Sequence, residues 1–167
     1  MSIVLTRVDN RLIHGQVVTN WLRSCKANIC IVANDRVAKD PVEQRLLSMA
    51  VADMMPIRFF DVETAAGKIA GADPRRNIAI VVENPIDALK LIEFGAPIES
   101  INIGNMHMAD GKEKLCMTVY AGPEERAAIA SLLDRGIEVE YRLLPSDPPQ
   151  NLRDALNHSN TTQQTER

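Results

Sequence analysis

Apolar positions along this chain come in short unbroken runs, and between the runs they recur at helical spacing. "SIVLTRV", near the start, is rich in β-branched residues and predicts a short buried strand. In "GQVVTNWLRSC" Val17, Val18, Trp21 and Leu22 fall on one helical face, with Trp21 a core residue of that face. "NICIVAN" predicts a strand, and "PVEQRLLSMAVADM" a helix with Pro41 in its first turn and Asp40 as its cap. "IRFF" is a short strand, "VETAAGKIAG" a helix ending at Gly71, "NIAIVVEN" a buried strand, and "PIDALKLIEFG" a helix stopped by Gly95. "SINIGN" is another strand. "GPEERAAIASLLDRG" has Pro and two Glu in its first turn and Gly136 past its end, and "IEVEYRLL" follows with strand character.

Strands that are almost continuously apolar, alternating with helices, predict a doubly wound α/β fold: a mainly parallel sheet with helices on both faces. Residues 107–121, "HMADGKEKLCMTVYA", stay unassigned, since their "DGK" turn fits a hairpin or an irregular excursion equally. "DPPQNLRDALNHSNTTQQTER" allows one short terminal helix. After it, 159–167 are polar and without periodicity, which predicts a loose tail behind a single domain over 1–158.

The 167 residues suffice to bury about two thirds of the unfolded chain's surface in one core. With 46% hydrophobic but only 4% aromatic residues, that core must consist mainly of Ile, Val, Leu, Ala and Met. A net charge of −3, with no basic cluster among aromatics, argues against a nucleic-acid partner. Cys25, Cys30 and Cys116 form no disulfide framework and no C-x-x-C pair, which suits a reducing compartment. No segment approaches eighteen apolar residues in a row, so a cytoplasmic protein is expected.

In a doubly wound sheet ligands sit at the carboxyl ends of the strands. Asp9, Asn10, Arg11 and His14 follow the first strand; Asn34, Asp35 and Arg36 the second; Glu83 and Asn84 follow "IAIVV"; Gly104, Asn105 and His107 follow "INI". Turn formation accounts for Asn, Asp and Gly. It does not account for Arg11 and His14. His14 has a structural reading, a half-buried imidazole bonded to a carbonyl, and a functional one. It stands just before Gly15 and a helix start, where the free N–H groups of Gly15, Gln16 and Val17 bind anions. Arg11 adds a fork that matches phosphate oxygens. Together these suggest a histidine that carries phosphate.

The chain has no G-x-S-x-G elbow, Walker loop or G-x-G-x-x-G fingerprint. No metal site is expected, because His14, His107 and His158 lack ligand spacing. The cysteines read as packing residues rather than phosphorylated thiolates, and His107 as a loop side chain. Asp9 and Asp35 fit either of two roles, capping turns or orienting Arg11 and the imidazole. A module that binds a phosphorylated metabolite remains open, as does a small phosphosugar isomerase or phosphatase using His14 as acid-base.

"TRVDNRLIHGQV" resembles the active-site signature of the mannose/sorbose-type enzyme IIB components of the bacterial phosphoenolpyruvate-dependent sugar phosphotransferase system, with His14 at the phosphorylated histidine. The likeness continues through "VANDRVAKDP", "ENPIDALKLIEFG", "SINIGNMH" and "LDRGIEVE", nearly the whole chain. It implies a phosphohistidine carrier without a cofactor. Such a carrier takes phosphate from enzyme IIA and gives it to a sugar during transport by the membrane components IIC and IID, with which it associates peripherally. The resemblance favours Nδ1 as the accepting nitrogen; on the reading of the residues themselves, Asp9 is a candidate to fix Arg11 and Asp35 a candidate to orient the loop. Leu12 and Ile13 become candidate partner contacts, and self-association is left open. "NIGNMHMADGK" looks more like the N-acetylgalactosamine or galactosamine branch than the mannose branch, where a second Gly would replace Asn105; fructose and sorbose stay open. "PPQNLRDALNHSN" and the polar tail depart from the family pattern.

Overall fold

Runs of β-branched residues can satisfy their backbone only by pairing, and here they pair in parallel around the first of them. The computed structural model describes residues 1–51 and 54–165, with side chains as far as residue 158. β1 (Ser2–Asp9) lies at the centre of a seven-stranded sheet. The other strands are β2 (Ile29–Ala33), β3 (Ile57–Phe60), β4 (Asn77–Val82), β5 (Ser100–Asn105), β8 (Glu138–Tyr141) and β9 (Gln150–Asn151). The order is β3-β2-β4-β1-β5-β8-β9, parallel throughout except for β9. β6 (Glu113–Cys116) and β7 (Val119–Ala121) form a separate antiparallel hairpin.

Both faces are covered, which is why Ile78, Ala79, Ile80, Val81 and Val82 of β4 are all buried. On one face a π-helix (Val17–Leu22) and α1 (Pro41–Val51) enclose Leu5, Cys30, Val32, Ala79 and Val81. On the other, α2 (Val62–Ala70), α3 (Pro85–Glu93) and α4 (Pro123–Asp134) bring Ala65, Ile69, Ala88, Leu91, Ile129 and Leu132 onto Ile80, Val82, Ile101 and Ile103. Each buried Val, Leu or Ile contributes about 1.5–3 kcal/mol. The expected doubly wound, mainly parallel fold is therefore the one observed.

Local signals placed the elements well. Asp40 Oδ1 accepts from the N–H groups of Val42 and Glu43, both at 3.0 Å, and starts α1 at Pro41. Gly95 and Gly136, at φ 98° and 80°, stop α3 and α4 in a conformation that costs other residues strain. Three features differ. Val17, Val18, Trp21 and Leu22 are buried together as expected, but their helix is a π-helix, wider by one residue per turn. In 107–121 the "DGK" residues make only a turn, with Gly111 at φ 77°, and the hairpin reverses at Met117 and Thr118. The backbone of α5 (Leu152–Thr165) continues beyond the short helix expected at the terminus. The expectation of a loose tail otherwise falls on side chains outside the described residues.

Asn84 caps α3, accepting from Asp87 N–H at 2.8 Å, and its Nδ2 donates to Asp87 Oδ2 at 3.3 Å. Burial pushes the Asp87 carboxyl up to about 6; Asp35 and Glu83 add to this, and Lys90 opposes it. The folded state therefore binds the proton more tightly than the unfolded state, and stability falls as pH rises from about 4 to 6. Asp87→Asn should be neutral below pH ~4 and stabilising by about 1 kcal/mol above pH ~6, after allowance for partial exposure and for the helix dipole. Denaturant titrations of both proteins across that range check this; equal stability at pH 7 would refute it.

Candidate functional site

β1, β4 and β5 end side by side, so the polar residues that follow them converge on one edge of the sheet. Asn10 fastens three of these loops together. Its N–H donates to the Asn105 carbonyl at 3.1 Å, its Nδ2 to the Glu83 carbonyl at 3.3 Å, and its Oδ1 accepts from the N–H of His107. The chain then turns sharply. Leu12 N–H donates to the Asp9 carbonyl at 2.9 Å, and Leu12 holds φ 56°, a left-handed conformation that costs a branched side chain about 1 kcal/mol. This strained turn sends Leu12 and Ile13 inward, 2% and 3% exposed, and presents His14 at the rim. Leu12 and Ile13 are thus core residues, not the partner contacts expected from sequence: a partner could not reach them without unfolding the turn.

His14 is held from below. Its Nε2 lies 3.1 Å from Asp9 Oδ2, and Asp9, at the end of β1, is fully buried. Asp9 Oδ1 accepts from Arg11 N–H at 3.1 Å, with Arg11 Nε at 3.9 Å. Burial alone would raise the Asp9 pKa, but the bonds from His14 and Arg11 and the nearby charges of His14 and Arg7 outweigh it and hold the carboxyl below its ordinary value. An ionised Asp9 only accepts, so Nε2 must carry the proton and the lone pair of the imidazole sits on Nδ1. Sequence could not choose between the two nitrogens. The geometry does.

Helical backbone begins directly after His14. Val18 N–H bonds to the His14 carbonyl at 3.1 Å, whereas the N–H groups of Gly15, Gln16 and Val17 have no backbone acceptor one turn back. Gly15 and Gln16 are exposed, Val17 is buried, and the Arg11 side chain is 47% exposed. A ring nitrogen with a lone pair, just ahead of open helix-start donors and with an exposed guanidinium three residues back, suits an anion carried on His14.

Not every expected residue belongs to this cluster. Asp35 Oδ1 accepts from Val62 N–H at 2.9 Å, which ties that carboxylate to the start of α2, and among the described residues no hydrogen bond or ion pair joins it to Arg11 or His14. His107 is an exposed loop side chain whose Nε2 lies 3.1 Å from Asn105 Nδ2. The thiols read as packing groups: burial pushes Cys30 up to about 12 and Cys116 up to about 11, and raises Cys25.

One layer of the site was missed. Arg7, in the middle of β1, is buried under Trp21, its guanidinium carbon 4.8 Å from the ring centroid. Its Nη2 reaches Asp9 Oδ2 at 3.4 Å and its Nη1 bonds Asn102 Oδ1 at 2.5 Å. Trp21 Nε1 donates to the Leu143 carbonyl at 3.0 Å, and Arg142 also lies against its ring, at 5.6 Å. The signals were an arginine inside a β-branched strand and an asparagine inside "INI", both too polar for a buried run without partners.

A profile of the family described as "PTS system sorbose subfamily IIB component" matches residues 3–167. The chain is 40% identical over 147 residues to the N-acetylgalactosamine-specific phosphotransferase enzyme IIB component 2 of Escherichia coli K12, covering 88% of this chain and 94% of that one. It is 33% identical over 161 residues to the mannose-specific EIIAB component of the same organism, covering 93% of this chain and 49% of the relative. Among solved structures, the IIBSor domain of the sorbose permease from Klebsiella pneumoniae superposes with a TM-score of 0.88 at 33% identity, covering 95% and 98% of the two chains.

Proposed function

The chain belongs to the sorbose subfamily of phosphotransferase-system IIB components, and on that premise we propose that His14 is the residue that carries the phosphoryl group, on Nδ1. Components of this family are phosphotransferases that work with IIA, IIC and IID partners. This leaves the phosphometabolite-binding module and the phosphosugar enzyme without support. The observation that carries the assignment to His14 is the bond from Nε2 to the buried Asp9, which leaves the lone pair on Nδ1 of the residue that directly precedes the open N–H groups of the helix start at Gly15, Gln16 and Val17.

In the transfer, the Nδ1 lone pair attacks the phosphorus of a phosphohistidine on IIA in line. The Nδ1–P bond forms as the donor's P–N bond breaks, and the donor ring leaves neutral. His14 keeps its Nε2 proton and gains the positive charge that the donor ring loses. Asp9 faces that charge, while Arg11 and the helix-end N–H groups face the equatorial oxygens. Positioning does most of the catalysis. The sugar that finally receives the phosphate is N-acetylgalactosamine or galactosamine, a reading supported by the specificity named for the 40%-identical relative and by "NIGNMHMADGK". No described helix is long and apolar enough to cross a membrane, and the chain works from the cytoplasmic side, docked on IIC and IID. Phosphorylated protein mixed with membranes bearing N-acetylgalactosamine-type IIC and IID should lose its phosphate when that sugar is added. Loss only with mannose or sorbose would overturn the sugar, and no loss with any sugar would overturn the carrier role.

Arg11 gives a graded test. Arg11→Lys keeps the charge but loses the fork, so transfer from phosphorylated IIA should slow roughly tenfold to a thousandfold, about 1.4–4 kcal/mol, with Arg11→Ala slower still. Rapid-quench kinetics measures this. Native rates in both variants would make Arg11 a brace for the loop through its N–H to Asp9.

A further inference from the structure

Arg7 is a buried cation on the inner side of the site, one that phosphate chemistry at the rim does not itself require. Four elements hold it. β1 supplies it; Trp21 of the π-helix lies over its guanidinium; Asn102 of β5 takes Nη1 at 2.5 Å; and the Arg142 carbonyl, just past β8, lies 3.4 Å from the same nitrogen. β5 also leaves room for it. A Cβ at Gly104 would fall 2.0 Å from the guanidinium carbon, so only glycine fits there while Arg7 stays in place. A buried ion pair is poor evidence of a stabilising role, because desolvating two charges consumes most of their attraction. So much construction around one cation calls for another purpose.

Arg7 and Asp9 point to the same face of β1, two residues apart. Asp9 Oδ2 is shared, with Arg7 Nη2 at 3.4 Å on one side and His14 Nε2 at 3.1 Å on the other. We infer that Arg7 is a positioning residue for phosphoryl transfer: it fixes the Asp9 carboxylate, in orientation and in ionised form, against Nε2 of His14. The inference rests on the assignment of the phosphoryl group to His14 and adds the group that readies that ring. Because Nδ1 attacks while Nε2 keeps its proton, the phosphorylated ring is positive and needs a carboxylate, not a carboxylic acid, behind it. The groups facing Asp9 are Arg7, Arg11 and His14. Those facing Arg7 are Asp9, Arg11 and Tyr141, with Arg142 beyond; Glu140 Oε1 is engaged by Arg142 at 2.6 Å and by Asn102 Nδ2 at 3.4 Å. No other cation is hydrogen-bonded to the Asp9 carboxylate through its side chain among the described residues.

The test uses the full chain. Nitrogen-15 NMR of the histidine rings should show native His14 with its proton on Nε2. In Arg7→Met, transfer from phosphorylated IIA should fall about a hundredfold, and the acid limb of its pH–rate profile should move towards neutral as Asp9 takes up a proton at higher pH. The Nε2–H form should lose population in parallel. Arg7→Lys should recover about tenfold of the rate and return the limb most of the way. A folded Arg7→Met protein with the native pH profile and native tautomer overturns the inference and makes Arg7 a structural brace. If Arg7→Met does not fold, Arg7→Lys decides: an intermediate limb supports the inference, and native rate and profile overturn it. If native His14 takes no phosphate at all, the carrier assignment fails, while the tautomer and the Asp9 titration still test Arg7.

Discussion

Replacing His14 by glutamine is expected to abolish phosphate uptake and leave the fold intact. The imidazole side chain is 17% exposed and stands at the rim, so its removal opens no core cavity. The glutamine amide can still donate to Asp9 Oδ2, so the buried carboxylate keeps a partner. It has no ring nitrogen with a lone pair to attack phosphorus. Incubation with phosphorylated IIA should add one phosphate to the native mass and none to the variant, a rate difference of about ten-thousandfold or more. The thermal midpoint should move by only a few degrees, corresponding to about 1 kcal/mol or less. The native label should be acid-labile and alkali-stable, as a phosphoramidate is. Labelling of the variant at the native rate would move the site to another residue.

Asp9→Asn should cost nearly as much, although Asp9 never touches the phosphate. Asparagine still accepts from Arg11 N–H through its oxygen, which places its NH₂ against Nε2 of His14. Two donors cannot face each other. The ring must then make Nε2 the acceptor and carry its proton on Nδ1, which removes the nucleophile. The same amide-for-carboxylate exchange behind a catalytic imidazole costs about 10⁴-fold in serine proteases, so a loss of about 10³- to 10⁴-fold, or 4–5.5 kcal/mol, is expected here. Stability should change with a definite sign as well. Despite burial, hydrogen bonds and charges hold the Asp9 pKa below its ordinary value, so its contribution is present above about pH 4 and is lost as pH falls through the lower folded value. Native protein should therefore lead the variant at neutral pH and lose that lead in acid. Rapid-quench rates, ring nitrogen shifts and denaturant curves read the three consequences; a native rate with Nε2 still protonated would show that Asp9 does not set the tautomer.

The parts legible from sequence are those whose cause lies within a few residues. Asp40 with Pro41 starts a helix, and Gly95 and Gly136 end two, because the groups to be satisfied are the helix's own terminal N–H and carbonyl groups. The "RLIHGQV" stretch showed its donors for the same reason, since Gly15, Gln16 and Val17 are free wherever a helix begins after His14. The π-helix was not legible, as its extra residue per turn leaves Val17, Val18, Trp21 and Leu22 on the same face. Nor was the hairpin in 107–121, whose position depends on Met106 N–H and Tyr120 N–H bonding to partners at Thr118 and Met106 in the finished fold.

The sequence by itself determined the alternation of strand and helix, the two-sided burial that makes the sheet parallel, and the place of His14 just before a helix start. Only the tertiary structure decided what each polar residue near that histidine does. Asp9 and Asp35 are alike in sequence, each an aspartate at the end of an apolar strand. One is enclosed between β4 and β5 and shared by Arg7 and His14, and the other is drawn off to the first turn of α2. Arg7 is a single charge in an apolar run, and Asn102, Gly104 and Trp21, from 14 to 97 positions away, close around it only in the folded chain. A side chain's partners at such separations are set by strand order and register, and these depend on how the whole sheet packs rather than on any local pattern.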